Sequence, residues 1–188
     1  PLFAQPQSKG AGQRPALQKI PNMRKPVVVL ILLLSLASLS AQPAPCLSLY
    51  LSTETAPPGG EVCLDVTAGA YEGLLGVLFE LRWDTSVLAF KGVEQIQLPY
   101  LYEYNFNLLP EAVNNGYTVL TWYDPSIVGI NLAERERLFS LCFEVVGNPG
   151  DFGQVRFAER NGVIELADAN ANAVDAFSMI QGGVYVSE

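Results

Sequence analysis

The strongest constraint on the fold is a period of two in the apolar residues. It is clearest in LFSLCFEVV, residues 138–146, where Phe139, Leu141 and Phe143 alternate with Ser140, Cys142 and Glu144. Residues 76–90, GVLFELRWDTSVLAF, repeat the pattern: Val77, Phe79, Leu81 and Trp83 fall on one side, Leu78, Glu80 and Arg82 on the other. Successive side chains of a strand point to opposite faces, so such runs read as strands with one face in a core. Further runs lie at 47–51, 62–66, 87–93, 117–123, 155–157 and 183–186. After residue 45 no long stretch has helical periodicity. Eight or nine short strands broken by Gly, Pro, Asn and Asp imply an all-β sandwich or jelly roll.

The breaks carry their own chemistry. Pro57-Pro-Gly-Gly60 is a turn, and Asn115-Gly116 predicts a hairpin leading into Tyr117–Tyr123. Asp84 and Asp124 each stand two residues before a serine, at the end of a strand ending in an aromatic residue. A carboxylate there accepts a hydrogen bond from the amide two residues on, which makes both predicted Asx-turn corners rather than catalytic acids.

Three segments are expected. Residues 1–22 have no pattern and are expected to be disordered. Residues 23–41 have the layout of a secretory signal peptide: Arg24 and Lys25, the apolar run Val27–Leu34, then small residues to Ala41. Residues 42–188 form one domain, long enough to bury a self-sufficient core. Five of the eleven basic residues precede residue 26 and all nineteen acidic residues follow residue 53, so the segment from residue 42 carries a net charge of −13. That charge repels phosphate backbones and argues against nucleic-acid binding.

The chain has no histidine, which excludes Ser-His-Asp and Cys-His catalysis. Its acids show no paired motif of glycosidase type, so no catalytic residue is assigned. Asp168, Asn170, Asn172 and Asp175 imitate the start of a calcium loop, but Ala173 and Met179 occupy the places where that loop needs Gly and Glu. An Asx-rich turn is the expected reading, with no metal or cofactor.

The ordered set of motifs resembles a cohesin domain: the Pro-Gly turn, VCLDV at 62–66, the strand ending in Trp83-Asp84, VLAFKGV at 87–93, TWYDP at 121–125, LFSLCFEVVG at 138–147, DANANAVDAF at 168–177 and GGVYV at 182–186. The resemblance spans about residues 47–187. It implies a nine-stranded jelly-roll sandwich and a non-catalytic, extracellular or cell-surface module that recruits a dockerin-like or other protein partner, in a setting of polysaccharide binding or degradation. A structural spacer or adhesin module without a dedicated ligand is the alternative. The cellulosomal pattern places an Asn and an Asp on the third strand for dockerin contact; here those places hold Gly76 and Leu78. The outward residues of the implied binding sheet are Leu78, Glu80, Arg82, Tyr117, Val119, Thr121 and Tyr123, which form a protein-recognition or glycan-contacting patch unless loops cover them or the strand parity is reversed; Tyr100, Tyr102 and Tyr104 alternate as well and either extend the patch or line their strand. The resemblance also makes the strands carrying Cys63 and Cys142 antiparallel neighbours. Both cysteines sit out of phase with the apolar set, so a cross-strand disulfide is expected, with Cys46 left over.

Overall fold

The computed structural model describes residues 46–188, so the expected signal peptide and the segment before it lie outside the described residues. Among the described residues twelve strands form two stacked sheets. In chain order they are β1 (Leu47–Leu51), β2 (Thr53–Ala56), β3 (Glu61–Ala68), β4 (Tyr71–Trp83), β5 (Leu88–Glu94), β6 (Tyr117–Tyr123), β7 (Ile130–Leu132), β8 (Glu136–Val145), β9 (Phe152–Ala158), β10 (Glu165–Asp168), β11 (Phe177–Ile180) and β12 (Gly182–Val186). One sheet has the order β11-β1-β3-β8-β5. The other is built around the thirteen-residue β4, with β6 and β7 along one edge and β10 and β9 along the opposite edge, followed by β12 and β2.

The count exceeds nine because continuous runs of chain are divided. At Ser52 the chain leaves the first sheet and enters the second, turning one extended segment into β1 and β2. Ser52 is held at this crossing: its Oγ accepts from the Asp65 amide at 3.0 Å, and its carbonyl accepts from Gly183 at 3.2 Å. Approach is so close that a Cβ on Gly182 would lie 2.0 Å from the Ser52 carbonyl oxygen, so only glycine fits. β1 pairs in parallel with β11, and β2 in parallel with β12, which closes the jelly roll with the last strands of the chain.

The core is the set that the period of two selects. Phe79 and Phe143 are 1% and 0% exposed. Phe79 meets Phe157 edge-on at 5.3 Å, and Trp83 stacks on Phe90 at 5.2 Å while meeting the edge of Phe143 at 5.5 Å. Leu120 and Trp122 of β6 also point inward and are 1% exposed.

β8 is buried on both faces. On its outer side Ser140 Oγ donates to Asp65 Oδ1 at 2.7 Å, and Arg137 Nε donates to Asp65 Oδ2 at 3.0 Å. Beside them Cys63 and Cys142 lie directly opposite in the β3–β8 register and form the expected disulfide, with Cα atoms 4.0 Å apart. Cys46 is free and exposed.

Asn115-Gly116 does not close a hairpin. The segment before it is a short helix, Pro110–Asn114, opened by proline at its first turn. Gly116 ends it at φ +72, and a Cβ there would lie 2.5 Å from the Trp83 carbonyl oxygen. The same Asn-Gly chemistry that suits a tight hairpin also stops a helix. Among the described residues no helix is long and apolar enough to cross a membrane.

Two measurements check this account. Replacing both Cys63 and Cys142 with serine is expected to cost about 2–4 kcal/mol in urea unfolding, because the bridge closes a long loop in the unfolded chain. The oxidised wild type plus reductant should reproduce the loss. Phe79→Ala is expected to cost about 3–5 kcal/mol by the same assay.

Candidate partner-binding face

The outward face of the second sheet is composed in register. Gly76, Leu78, Glu80 and Arg82 of β4 stand opposite Tyr123, Thr121, Val119 and Tyr117 of β6. On the other edge of β4, Ala167 and Glu165 of β10 flank Gly76 and Leu78, and Ala158 and Arg156 of β9 flank Glu80 and Arg82. The outward parity expected for all seven residues is observed, but they are not equally accessible. Arg82, Thr121 and Tyr123 are exposed, and Leu78 and Tyr117 are half-buried. Glu80 and Val119 are 4% and 8% exposed, so this part of the face is covered.

The cause lies in segments distant in sequence. Asn107 donates its amide to the Val119 carbonyl at 2.9 Å, Phe106 bridges Leu120, and Arg160 stands across the small depression bordered by Val119 and Thr121. Glu80 is paired with the Arg82 guanidinium, which also lies 5.4 Å from the centre of the Tyr117 ring. Arg82 is thus occupied twice within its own sheet.

At the Gly76 end the face opens into an apolar depression of about 580 Å³. Its floor is Gly76, Leu78 and Ala167; Thr121, Tyr123 and Val163 rise around it, with Glu165 and Asp175 as its charged groups. Size and lining fit one or two inserted apolar side chains. The Asn and Asp expected of a cellulosomal pattern are replaced here by Gly76 and Leu78, so the floor offers no side-chain donor or acceptor.

Sequence reading missed the contribution of β10. VIELAD, residues 163–168, sets only Ile164 and Leu166 about Glu165 in strand phase, and the Asx-rich run after it dominates the reading. That run is the expected turn: Asp168 Oδ1 accepts the amides of Asn170 and Asn172, both at 2.9 Å. The Asn172 amide is the main reason the Asp168 carboxyl is held below its ordinary range, with burial opposing.

The rim beside Tyr123 is fixed by the second Asx corner. Asp124 is fully buried, and its Oδ1 accepts from the Ser126 amide at 2.9 Å. Ser126 Oγ donates to both carboxylate oxygens at 2.8 and 2.7 Å, and the Val128 and Gly129 amides donate to Oδ2 at 3.2 and 2.9 Å. The Ser126 hydroxyl chiefly, then these amides, hold the Asp124 carboxyl below its ordinary range against the opposing effect of burial. Asp84 makes the equivalent corner with Ser86.

A carboxyl depressed in the folded state adds stability above its unfolded value, and that stability is lost as pH falls through the folded value. The wild type is therefore expected to lose thermal stability as pH drops from about 5 to about 2. Asp124→Asn should melt lower than wild type at neutral pH but lose less over that interval. A pH series of melting curves for the two proteins checks the sign.

No family model and no curated protein matches the sequence. Solved structures do. The sixth cohesin of scaffoldin B from Acetivibrio cellulolyticus, solved in complex with a mutant Cel5 dockerin, superposes with TM-score 0.63 at 17% identity, covering 76% of this chain and 99% of that one. The cohesin of the Coh-OlpA–Doc918 complex from Clostridium thermocellum gives 0.61 at 15% identity, covering 76% and 99%. A non-cellulosomal cohesin from the archaeon Archaeoglobus fulgidus gives 0.59 at 19% identity, covering 77% and 93%. At such identities the likeness is one of backbone architecture, and the fold of this chain is that of the cohesins.

Proposed function

We propose that the chain is a non-catalytic protein-binding module of cohesin type, extracellular or at the cell surface, that recruits a dockerin-like or other protein partner in a setting of polysaccharide binding or degradation. The observation that carries the reading is the apolar depression over Gly76, Leu78 and Ala167 on the β6-β4-β10 face. A partner that places an apolar side chain there removes both surfaces from water, worth about 25 cal/mol for each Å² buried. Several solved structures of the same fold hold a cohesin with its dockerin. The Cys63–Cys142 bridge supports an oxidising compartment, where disulfides persist. The absence of histidine and the use of Asp84, Asp124 and Asp168 as turn acceptors support a role without catalysis.

A second reading, a spacer or adhesin module without a ligand of its own, is favoured by Gly76 and Leu78 themselves, which cannot hydrogen-bond a partner through their side chains. Calorimetric titration of the domain with a panel of purified dockerin modules separates the two. The binding reading expects at least one dissociation constant in the micromolar range or tighter, and a weakening of at least about tenfold, or about 1.4 kcal/mol, in Leu78→Asp. An unchanged melting temperature for that variant shows that its fold is intact. No binding to any dockerin would favour the spacer.

A further inference from the structure

We infer that the cleft formed by Tyr100, Tyr102, Tyr104 and Tyr123 is a binding site for a neutral polysaccharide chain. The inference goes beyond the protein-binding reading and does not depend on it. The four tyrosines are 47%, 49%, 79% and 66% exposed, a density of open aromatic surface found nowhere else among the described residues of this domain. With Asn105 and Pro125 they enclose a cleft of about 250 Å³, of which no lining side chain carries a formal charge.

The site is rigid. Leu98 and Leu101 anchor the segment in the core at 4% and 3% exposure. Trp122 Nε1 donates to the Pro99 carbonyl at 3.0 Å. Asn105 Oδ1 accepts from the Tyr102 amide and Nδ2 donates to the Thr121 carbonyl, both at 2.9 Å. Asn105 therefore holds the loop with one donor and one acceptor, and the phenol hydroxyls are the other side-chain polar groups lining the cleft. Tyr100 is fixed in the left-handed region at φ +60, which a bulky side chain adopts only where its surroundings enforce it. Such a loop loses little freedom on binding.

The chemistry selects the ligand. Ring faces take up the C–H face of a pyranose, while hydroxyl tips exchange hydrogen bonds with its hydroxyls; a tyrosine supplies both. An uncharged cleft on a domain of net charge −13 disfavours uronate or sulfated chains by repulsion. The apolar depression at Leu78 suits protein side chains instead, because its floor offers no polar partner. Tyr102 and Tyr104 stack on each other at 5.2 Å and 21°, forming a ridge between the cleft and a broader trough lined by Phe106, Asn107, Leu108 and Leu109, with Glu103 as its one charged group. A ridge open on both flanks accommodates a polymer that continues past the contact.

The test is retention of the purified domain on insoluble cellulose, xylan, mannan and chitin, with polygalacturonate as the charged comparison. The expected result is retention on at least one neutral polymer, reduced at least tenfold in Tyr102→Ala/Tyr104→Ala and unchanged in Leu78→Asp. Melting curves monitor the fold, and Tyr104→Ala alone, at the most exposed ring, serves if the double variant is destabilised. No retention on any of the four neutral polymers, or equal retention of the tyrosine variant, overturns the inference. So does loss of dockerin binding in the tyrosine variant when the wild type binds no polymer, because the cleft would then be part of a protein interface. Failure of dockerin binding with polymer retention intact leaves this inference standing and removes only the protein-binding reading.

Discussion

The second sheet is organised by β4. Its thirteen residues pair with β6 and β7 on one edge and with β10 and β9 on the other, so a single strand sets the register of four neighbours. Because the side-chain period is two, that register cannot slip by one residue without sending Val77, Phe79, Leu81 and Trp83 into water. The hydrophobic cost of such a slip fixes the opposite face as well. Gly76, Leu78, Glu80 and Arg82 point outward because their neighbours must point inward. The composition of the outward face is thus a by-product of core packing.

That separation explains how an outward face holding Gly76 and Leu78 can sit on the cohesin fold. The alternating core holds the sandwich, and two Asx corners, an exposed one at Asp84 and a buried one at Asp124, turn the chain at its rims. Each corner satisfies its own carboxylate with local amides and a serine hydroxyl, so neither depends on what binds nearby. The tyrosine segment is held in the same self-contained way, by Asn105 and Trp122 rather than by contact with a ligand.

Strand identity and the direction of each side chain on β4, β6 and β8 were legible because both follow from the alternation of neighbouring residues. The Asx corners were legible because the turn is made by one side chain and the amide two residues away. The Cys63–Cys142 pairing required knowledge of which strands are neighbours, which came from the resemblance. Burial of Glu80 and Val119 was not legible: it depends on Phe106, Asn107 and Arg160, brought over the face by loops whose paths no local pattern encodes. The Asn115-Gly116 turn was misread as a hairpin because left-handed backbone ends a helix as readily as it joins two strands. β10 was hidden by its brevity, with only Leu166 of its four residues contributing a large apolar side chain to the core.

The crossing at Ser52 has a consequence in time. β1 and β2 each find a parallel partner in β11 and β12, residues more than a hundred positions further along. Neither sheet is complete until residues 177–186 have been synthesised. β1 therefore waits with one edge unpaired and β2 with no strand partner at all until β11 and β12 emerge, and the domain locks shut only when these distant segments meet.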